Sequence, residues 1–257
     1  MNQYLVFLEK EWVENIRTKK FLVMACVFLF FAFTSPLLAR YMAEFLGMLL
    51  TGEEALILAF IPESTWVDSY SQFYGNMAQV GIIVIIFMYM GLVLREKRNG
   101  TADLVFCKGV SPLPFILSKF TVSAVVALIC LLAAILVNYG YTVFLFEEGG
   151  NIGHVLAGAG AYGVFLLLLI SWTLLASTLA KSTAGSAAYS FLGFFGLLTV
   201  SAIPRIGKYL PGGLMSRNLE LTVGNFYPEF TAHIGIAIGT TVLFLALAVY
   251  VLKKQEL

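Results

Sequence analysis

Charge is what this sequence has least of. Only 12% of its 257 residues are Asp, Glu, Lys or Arg, while 60% are hydrophobic; an ordinary soluble domain is about 25% charged. Histidine occurs twice, at His154 and His233, and cysteine three times, at Cys26, Cys107 and Cys130. Two isolated histidines and an odd, unspaced set of cysteines give neither a metal-ligand spacing nor a disulfide framework. No GxxxxGK[ST] stretch occurs, so the chain has no phosphate-cradling loop of its own; the Gly207-Lys208 pair runs into Tyr209. HExxH is absent as well. The acidic pairs Glu53-Glu54 and Glu147-Glu148 have Leu58 and Ile152 four places on and fall outside the apolar blocks, which argues against a glutamyl intramembrane protease. A formal net charge of +1 makes no case for nucleic acid as a partner.

What the sequence does have is long apolar runs. Six blocks of 17 to 25 residues are long enough to cross about 30 Å of hydrocarbon as helices, at 21–39, 78–94, 115–139, 155–179, 184–204 and 231–252. The expected fold is an all-α integral membrane protein, with one transmembrane domain filling residues 1–257. Before the first block, Leu5, Leu8, Trp12 and Ile16 recur at helical spacing, with Lys10, Glu14 and Arg17 elsewhere on the wheel. This pattern predicts an amphipathic helix over 2–19 lying in the membrane interface. The mixed charges of this stretch, with no small-x-small site after it, argue against a cleaved signal peptide.

Lysine and arginine set the orientation. With the N-terminus placed in the cytosol, the inner segments hold Lys10, Arg17, Lys19, Lys20, Arg95, Lys97, Arg98, Lys108, Lys119, Lys181, Lys253 and Lys254, twelve of the sixteen bases. The outer segments hold only Arg40, Arg205, Lys208 and Arg217, together with nine of the fifteen acids. Six spans return the C-terminus to the cytosol. In the outer segment 40–77, Trp66, Tyr70, Phe73 and Tyr74 share one helical face, read either as an aromatic belt at the interface or as a substrate-contacting lip. Segment 205–230, with Pro211, Gly212, Gly213, Gly224 and Pro228 after Pro204, should form short broken helices.

The span cores contain no Asp, Glu, Lys or Arg. Carriers driven by protons or ions keep ionisable groups at membrane depth, so a self-energised carrier is disfavoured. Mild polar residues such as Thr34, Ser35, Asn138, Ser171, Thr173, Ser177, Thr178 and Thr199 are expected mostly to bond across helices. Small residues recur at Gly158, Gly160 and Gly163, at Gly185, Gly193 and Gly196, and at Gly235 and Gly239, which form a GxxxG. They serve close packing within the chain, or, at Gly235 and Gly239, a dimer seam.

The only substantial cytosolic loop is 95–114. Asn99-Gly100 should break the second span's helix, Thr101 should cap a short helix displaying Leu104, Val105 and Phe106, and Gly109 suits its stop. Asp103 adds negative charge to its first turn. Ser111-Pro112 should open the next span. Such a stiff, partly apolar peg flanked by bases can transmit a partner's movement, although an ordinary capped connector reads the same way.

The stretch EKRNGTADLVFCKGVSPLPFILSKF resembles the loop of type-2 ABC transporter permeases, the transmembrane subunits of ABC exporters. The matching residues are Glu96, Lys97, Gly100, Thr101, Leu104, Val110, Ser111 and Lys119, with Asp103 near the family's acidic place. The plan of an interfacial helix, six spans, cytosolic termini and a broken outer segment before the last span is similar too. The resemblance implies the membrane half of an ATP-driven exporter in a bacterial cytoplasmic membrane. It implies a separate ATP-binding subunit docked at loop 95–114, which would hold the ATP and Mg; this chain would bind neither and would not be an enzyme. It also implies a second permease copy or a homologue, with the substrate path at the seam. Two other classes stay open: an assembly or sensory subunit that moves nothing, and a self-sufficient carrier.

Overall fold

The computed structural model describes residues 3–49, 63–107, 109–203 and 207–255. Glu53, Glu54, Lys108, Pro204 and Arg205 lie outside the described residues, as does the side chain of Asp103. Helices α1 to α12 carry the fold, and no strand occurs among the described residues. Among the described residues, six helical segments are long and apolar enough to cross a membrane.

Helix α1 (Gln3–Arg17) is amphipathic in an unexpected way. Leu5, Trp12 and Ile16 of the predicted stripe are exposed, left for lipid, whereas Leu8 packs against the core and Glu11 and Asn15 are buried against the third span. Thr18 and Lys19 make the elbow, Lys19 with a φ of 57°, and α2 (Lys20–Leu49) follows as the first span. It overruns the predicted end at residue 39, because Arg40 and the six residues after it contain neither proline nor glycine. Pro36 sits inside it.

The second span is assembled from pieces. Helix α3 (Trp66–Asn76) runs through a π-helical turn at Met77–Gly81 into α4 (Ile82–Tyr89) and, after a break at 90–93, into α5 (Leu94–Arg98). It therefore starts well before the predicted residue 78. Asp68 and Thr65 form a reciprocal capping box at its start. The aromatic face of this entry helix turns inward: Tyr70 and Phe73 are fully buried, Tyr74 nearly so, and the Tyr70 hydroxyl donates to the Gly149 carbonyl at 2.9 Å. Neither a belt nor a lip describes residues packed this way. The face is part of the core.

Helix α6 (Thr101–Cys107) precedes α7 (Pro112–Phe146), the third span, whose 35 residues extend about 52 Å. It outruns the predicted 115–139, since nothing in GYTVFLF stops a helix. Helix α8 (Ile152–Leu179) is capped by Asn151, whose side chain accepts from the Gly153 N–H, and α9 (Thr183–Ser201) is capped likewise by Ser182 through Gly185. The predicted tight turn lies between them. Between α9 and the last span, α10 (Gly213–Ser216) and α11 (Asn218–Val223) are the short broken helices expected of segment 205–230, and α12 (Phe230–Lys254) is the sixth span.

Helix α8 stands at the centre, touching the second, third, fifth and sixth spans and both short helices α10 and α11, and it is the most buried span; α9 and α12 are the least. Glycine makes the central contacts possible. A Cβ on Gly158 would lie 2.1 Å from the Thr222 hydroxyl, and one on Gly193 would lie 2.0 Å from the Trp172 indole.

Most mild polar residues do not bond across helices as expected. Thr34, Ser171, Thr173, Thr178 and Thr199 return their hydroxyls to their own helix backbone. Ser35, Asn138 and Ser177 do reach across.

Candidate functional site

Loop 95–114 folds as a peg with two glycine hinges. Gly100 (φ 69°) and Gly109 (φ 78°) take left-handed backbone on either side of α6, a conformation open to glycine at little steric cost. Thr101 is not the N-cap. It is the first residue of α6, and its hydroxyl donates back to the Glu96 carbonyl at 3.1 Å, tying α6 to α5. Ser111 occupies the N-cap position of α7 with extended backbone and no side-chain cap bond, and Pro112 follows at the first turn. Val110 is half-buried beside it.

The two apolar residues proposed for the tip of the peg point different ways. Leu104 is 65% exposed. Phe106 turns inward onto Phe115 of α7, edge to face at 5.4 Å, and Phe7 of α1 meets the same ring at 6.1 Å. The peg thus stands on an aromatic footing shared by α1, α6 and α7.

Beneath it lies an ion network centred on Lys119, whose side chain is fully buried. Its Nζ meets Glu11 of α1 at 2.7 Å and also bonds Glu96 of α5. It sits 4.8 Å from the centre of the Phe115 ring as well, within cation–π range. Lys10 bonds the same two carboxylates, reaching Glu11 at 3.0 Å, and Lys10 and Lys20 both approach Glu14 at 3.7 Å. Burial alone would lower the Lys10 pKa, but Glu11 and Glu96 outweigh it and hold it above the ordinary lysine value. Oxygens of Glu11, Glu14 and Glu96 come within 4.8 Å of one another, close enough to suggest a metal cage. Three ammonium groups already face these three carboxylates, so the cluster is a closed ion-pair network.

Lys97 works on the other flank. Its Nζ donates to the Thr178 carbonyl at 3.0 Å, at the end of α8, and to Gln255 after α12. Beside it, the Ser177 hydroxyl accepts from the Val93 and Leu94 N–H groups at 3.1 and 3.2 Å, and Ser186 donates to the Met90 carbonyl at 2.6 Å. Those bonds satisfy backbone groups freed by the break at 90–93, as a helix interruption inside protein requires. One end of the bundle therefore gathers α1, the peg, the foot of α7, the end of α8 and the last turn of α12.

Of the residues singled out in the sequence, Glu96, Lys97, Gly100, Thr101, Leu104, Phe106, Val110, Ser111 and Lys119 come together here. Gly235 and Gly239 do not; they lie on α12, exposed, with open space where a Cβ would go. Sequence reasoning missed Glu11 as a partner of Lys119, and Lys10 as the second cation on the same carboxylates. A buried glutamate on the polar face of an amphipathic helix was the signal available, but 108 residues separate the pair. The two histidines are held apart by different partners: His154 meets Phe226 edge to face, and His233 bonds the Lys208 carbonyl at 2.7 Å.

A helical bundle with six candidate spans and an ion-braced peg at one end defines a multi-pass membrane protein. A family model described as "ABC-2 family transporter protein" matches residues 56–250, and the chain belongs to that family. It is thus a membrane permease component of an ABC transporter. The match begins after α1 and α2, so Lys10 and Glu11 lie outside it. The chain is also similar to the "Uncharacterized transmembrane protein YxlG" of Bacillus subtilis (strain 168), at 26% identity over 216 residues, covering 82% of this chain and 81% of that protein.

Proposed function

We propose that the chain is the transmembrane subunit of an ATP-driven exporter, moved by a separate ATP-binding subunit that docks on loop 95–114. The observation that carries this reading is the brace under the peg. A push on α6 reaches α7 through Phe106 and Phe115, and reaches α1 through Lys119 and Glu11, without first bending a loose loop. A connector with no partner has no need of that stiffness. ATP and Mg belong to the partner, because the chain has no phosphate-cradling loop.

The basic residues at the peg end favour the cytosolic side, with both termini there and the protein in the cytoplasmic membrane of a bacterium. A second copy of the chain, or a homologue, completes the transporter, with Gly235 and Gly239 offered as part of the seam. The bilayer is the remaining partner.

Affinity purification of the tagged chain from its native membrane in mild detergent, with mass spectrometry of what accompanies it, is the test. An ATP-binding subunit in stoichiometric amount supports the assignment. A folded chain that purifies alone speaks for a self-sufficient carrier, and one that brings only membrane proteins without ATPase speaks for an assembly subunit.

A further inference from the structure

The fourth, fifth and sixth spans do not close on one another. Between α8, α9 and α12 lies a cavity of about 180 Å³, walled by Phe165, Leu169 and Trp172 of α8, Leu197 of α9, Pro211 of the outer segment and Phe244 of α12. A more open depression shares Trp172 and Gly193 with it and continues past Ala176 to Leu179, at the end of α8. The two follow the α8–α9 seam from the peg end of the bundle to the outer segment. Gly193 creates the notch: the Trp172 indole occupies the space a Cβ would take.

The chemistry of the walls selects the occupant. Trp172 and Thr240 are the only lining side chains able to hydrogen-bond, and both are already engaged. Trp172 Nε1 donates to the Tyr189 carbonyl at 3.1 Å, and the Thr240 hydroxyl to the Ile236 carbonyl at 2.7 Å. A trapped water needs about 2–4 polar partners, and these side chains leave it only the acceptor lone pairs of the single Thr240 hydroxyl. An engineered apolar cavity of about 150 Å³ stays dry and takes up benzene instead. Left empty, a void of this size opposes the close packing of protein interiors. At this depth the surrounding solvent is alkyl chain.

We propose that this cavity binds one alkyl chain of a membrane-borne amphiphile, which enters along the α8–α9 seam past Trp172. Binding needs no ATPase and does not depend on the direction of transport. The chain could belong to a bilayer phospholipid or to a free single-chain amphiphile, and the chemistry of the site is the same for both.

The test places the purified full chain in phosphatidylcholine bilayer discs with one of two photoreactive probes. One is phosphatidylcholine with a diazirine at the end of one acyl chain; the other is a single-chain alkanol carrying the same group. After irradiation, adducts are mapped by peptide mass spectrometry. Labelling at Trp172 and Phe244 should exceed that at Leu136 and Phe87, which are simply exposed on the bundle's surface. Thr240→Phe fills the cavity from α12, and Leu197→Phe fills it from α9, so one remains informative if the other fails to fold. Either should lower Trp172 labelling by about five-fold or more while sparing Leu136, the loss expected for one displaced apolar segment. Labelling by the phospholipid probe alone identifies a bilayer lipid. Labelling by the alkanol that is competed by unlabelled alkanol identifies a free amphiphile. Labelling at Trp172 no higher than at Leu136, or unchanged in both filled variants, overturns the proposal.

Discussion

Asn138 donates from its side-chain nitrogen to the Ala32 carbonyl oxygen at 3.2 Å, from the third span to the first. Ala32 lies four residues before Pro36, whose nitrogen carries no hydrogen to complete the helix there. Both Ala32 and Asn138 are fully buried, and hydrocarbon supplies no water for an orphaned carbonyl. One level along, Asn76 donates to Ser35 at 3.1 Å, just before the π-helical turn of the second span. The irregularity at Pro36 is thus repaired from the third span and tied by Ser35 to the second span beside its π-helical turn.

Asn138→Leu should therefore destabilise the bundle by about 1 kcal/mol, within the measured range of interhelical hydrogen bonds in membranes. In a Pro36→Ala background the restored N–H can serve Ala32, and Asn138→Leu should become nearly neutral. Denaturant titration of the four variants in detergent measures the coupling. Effects that add to within about 0.3–0.5 kcal/mol would separate Asn138 from the proline.

Leu104 and Phe106 should behave differently although both are apolar residues of the same short helix. Leu104→Asp alters an exposed tip and should abolish co-purification of an ATP-binding subunit while leaving membrane insertion and thermal stability unchanged. Phe106→Asp buries a carboxylate beside Phe115 and should lower stability as well. Normal complex recovery by Leu104→Asp would remove the peg from the docking assignment.

Removing the Lys119 ammonium should loosen α1. Lys119→Met leaves Glu11, only 4% exposed, with Lys10 as its remaining cation. The loss should fall toward the lower end of the roughly 3–5 kcal/mol seen when a buried pair is broken, because Lys10 still reaches both carboxylates. Trypsin cleavage at the Lys19 elbow should accelerate as α1 detaches. Adding Glu11→Gln removes the stranded charge and should recover part of the stability. Equal stability of the single and double variants would mean that packing, and not the ion pair, holds α1.

How much of this could be read from sequence depends on the range of the interaction. The six spans follow from apolar runs, and Gly100 and Gly109 announce both hinges of the peg, because each is a property of a few neighbouring residues. The overrun of α2 past Arg40 and of α7 to Phe146 was hidden, since a charge or a predicted interface does not end a helix when no breaker follows. The inward turn of Tyr70, Phe73 and Tyr74 was hidden because an aromatic face has the same spacing whether it meets lipid, substrate or core. Glu11 with Lys119, Ser177 with Val93 and Asn138 with Ala32 are long-range pairs, and no local periodicity encodes them.

Glycine gives the sharpest contrast, because identical residues on different spans have opposite surroundings. Gly193 admits no Cβ without moving Trp172, so Gly193→Ala should destabilise the folded chain by roughly 1–3 kcal/mol through overpacking. Gly235 and Gly239 have nothing within 4 Å of the corresponding positions. Leucine at both should leave the thermal stability of the isolated chain unchanged or slightly raised, since leucine is the better helix former. If α12 meets a second copy through this notch, the same double substitution blocks the close approach of the two backbones and lowers the dimer fraction. Native mass spectrometry of the detergent complex reads that fraction directly. An unchanged dimer would move the seam to another face of the bundle, with α9, equally little buried, the next to substitute.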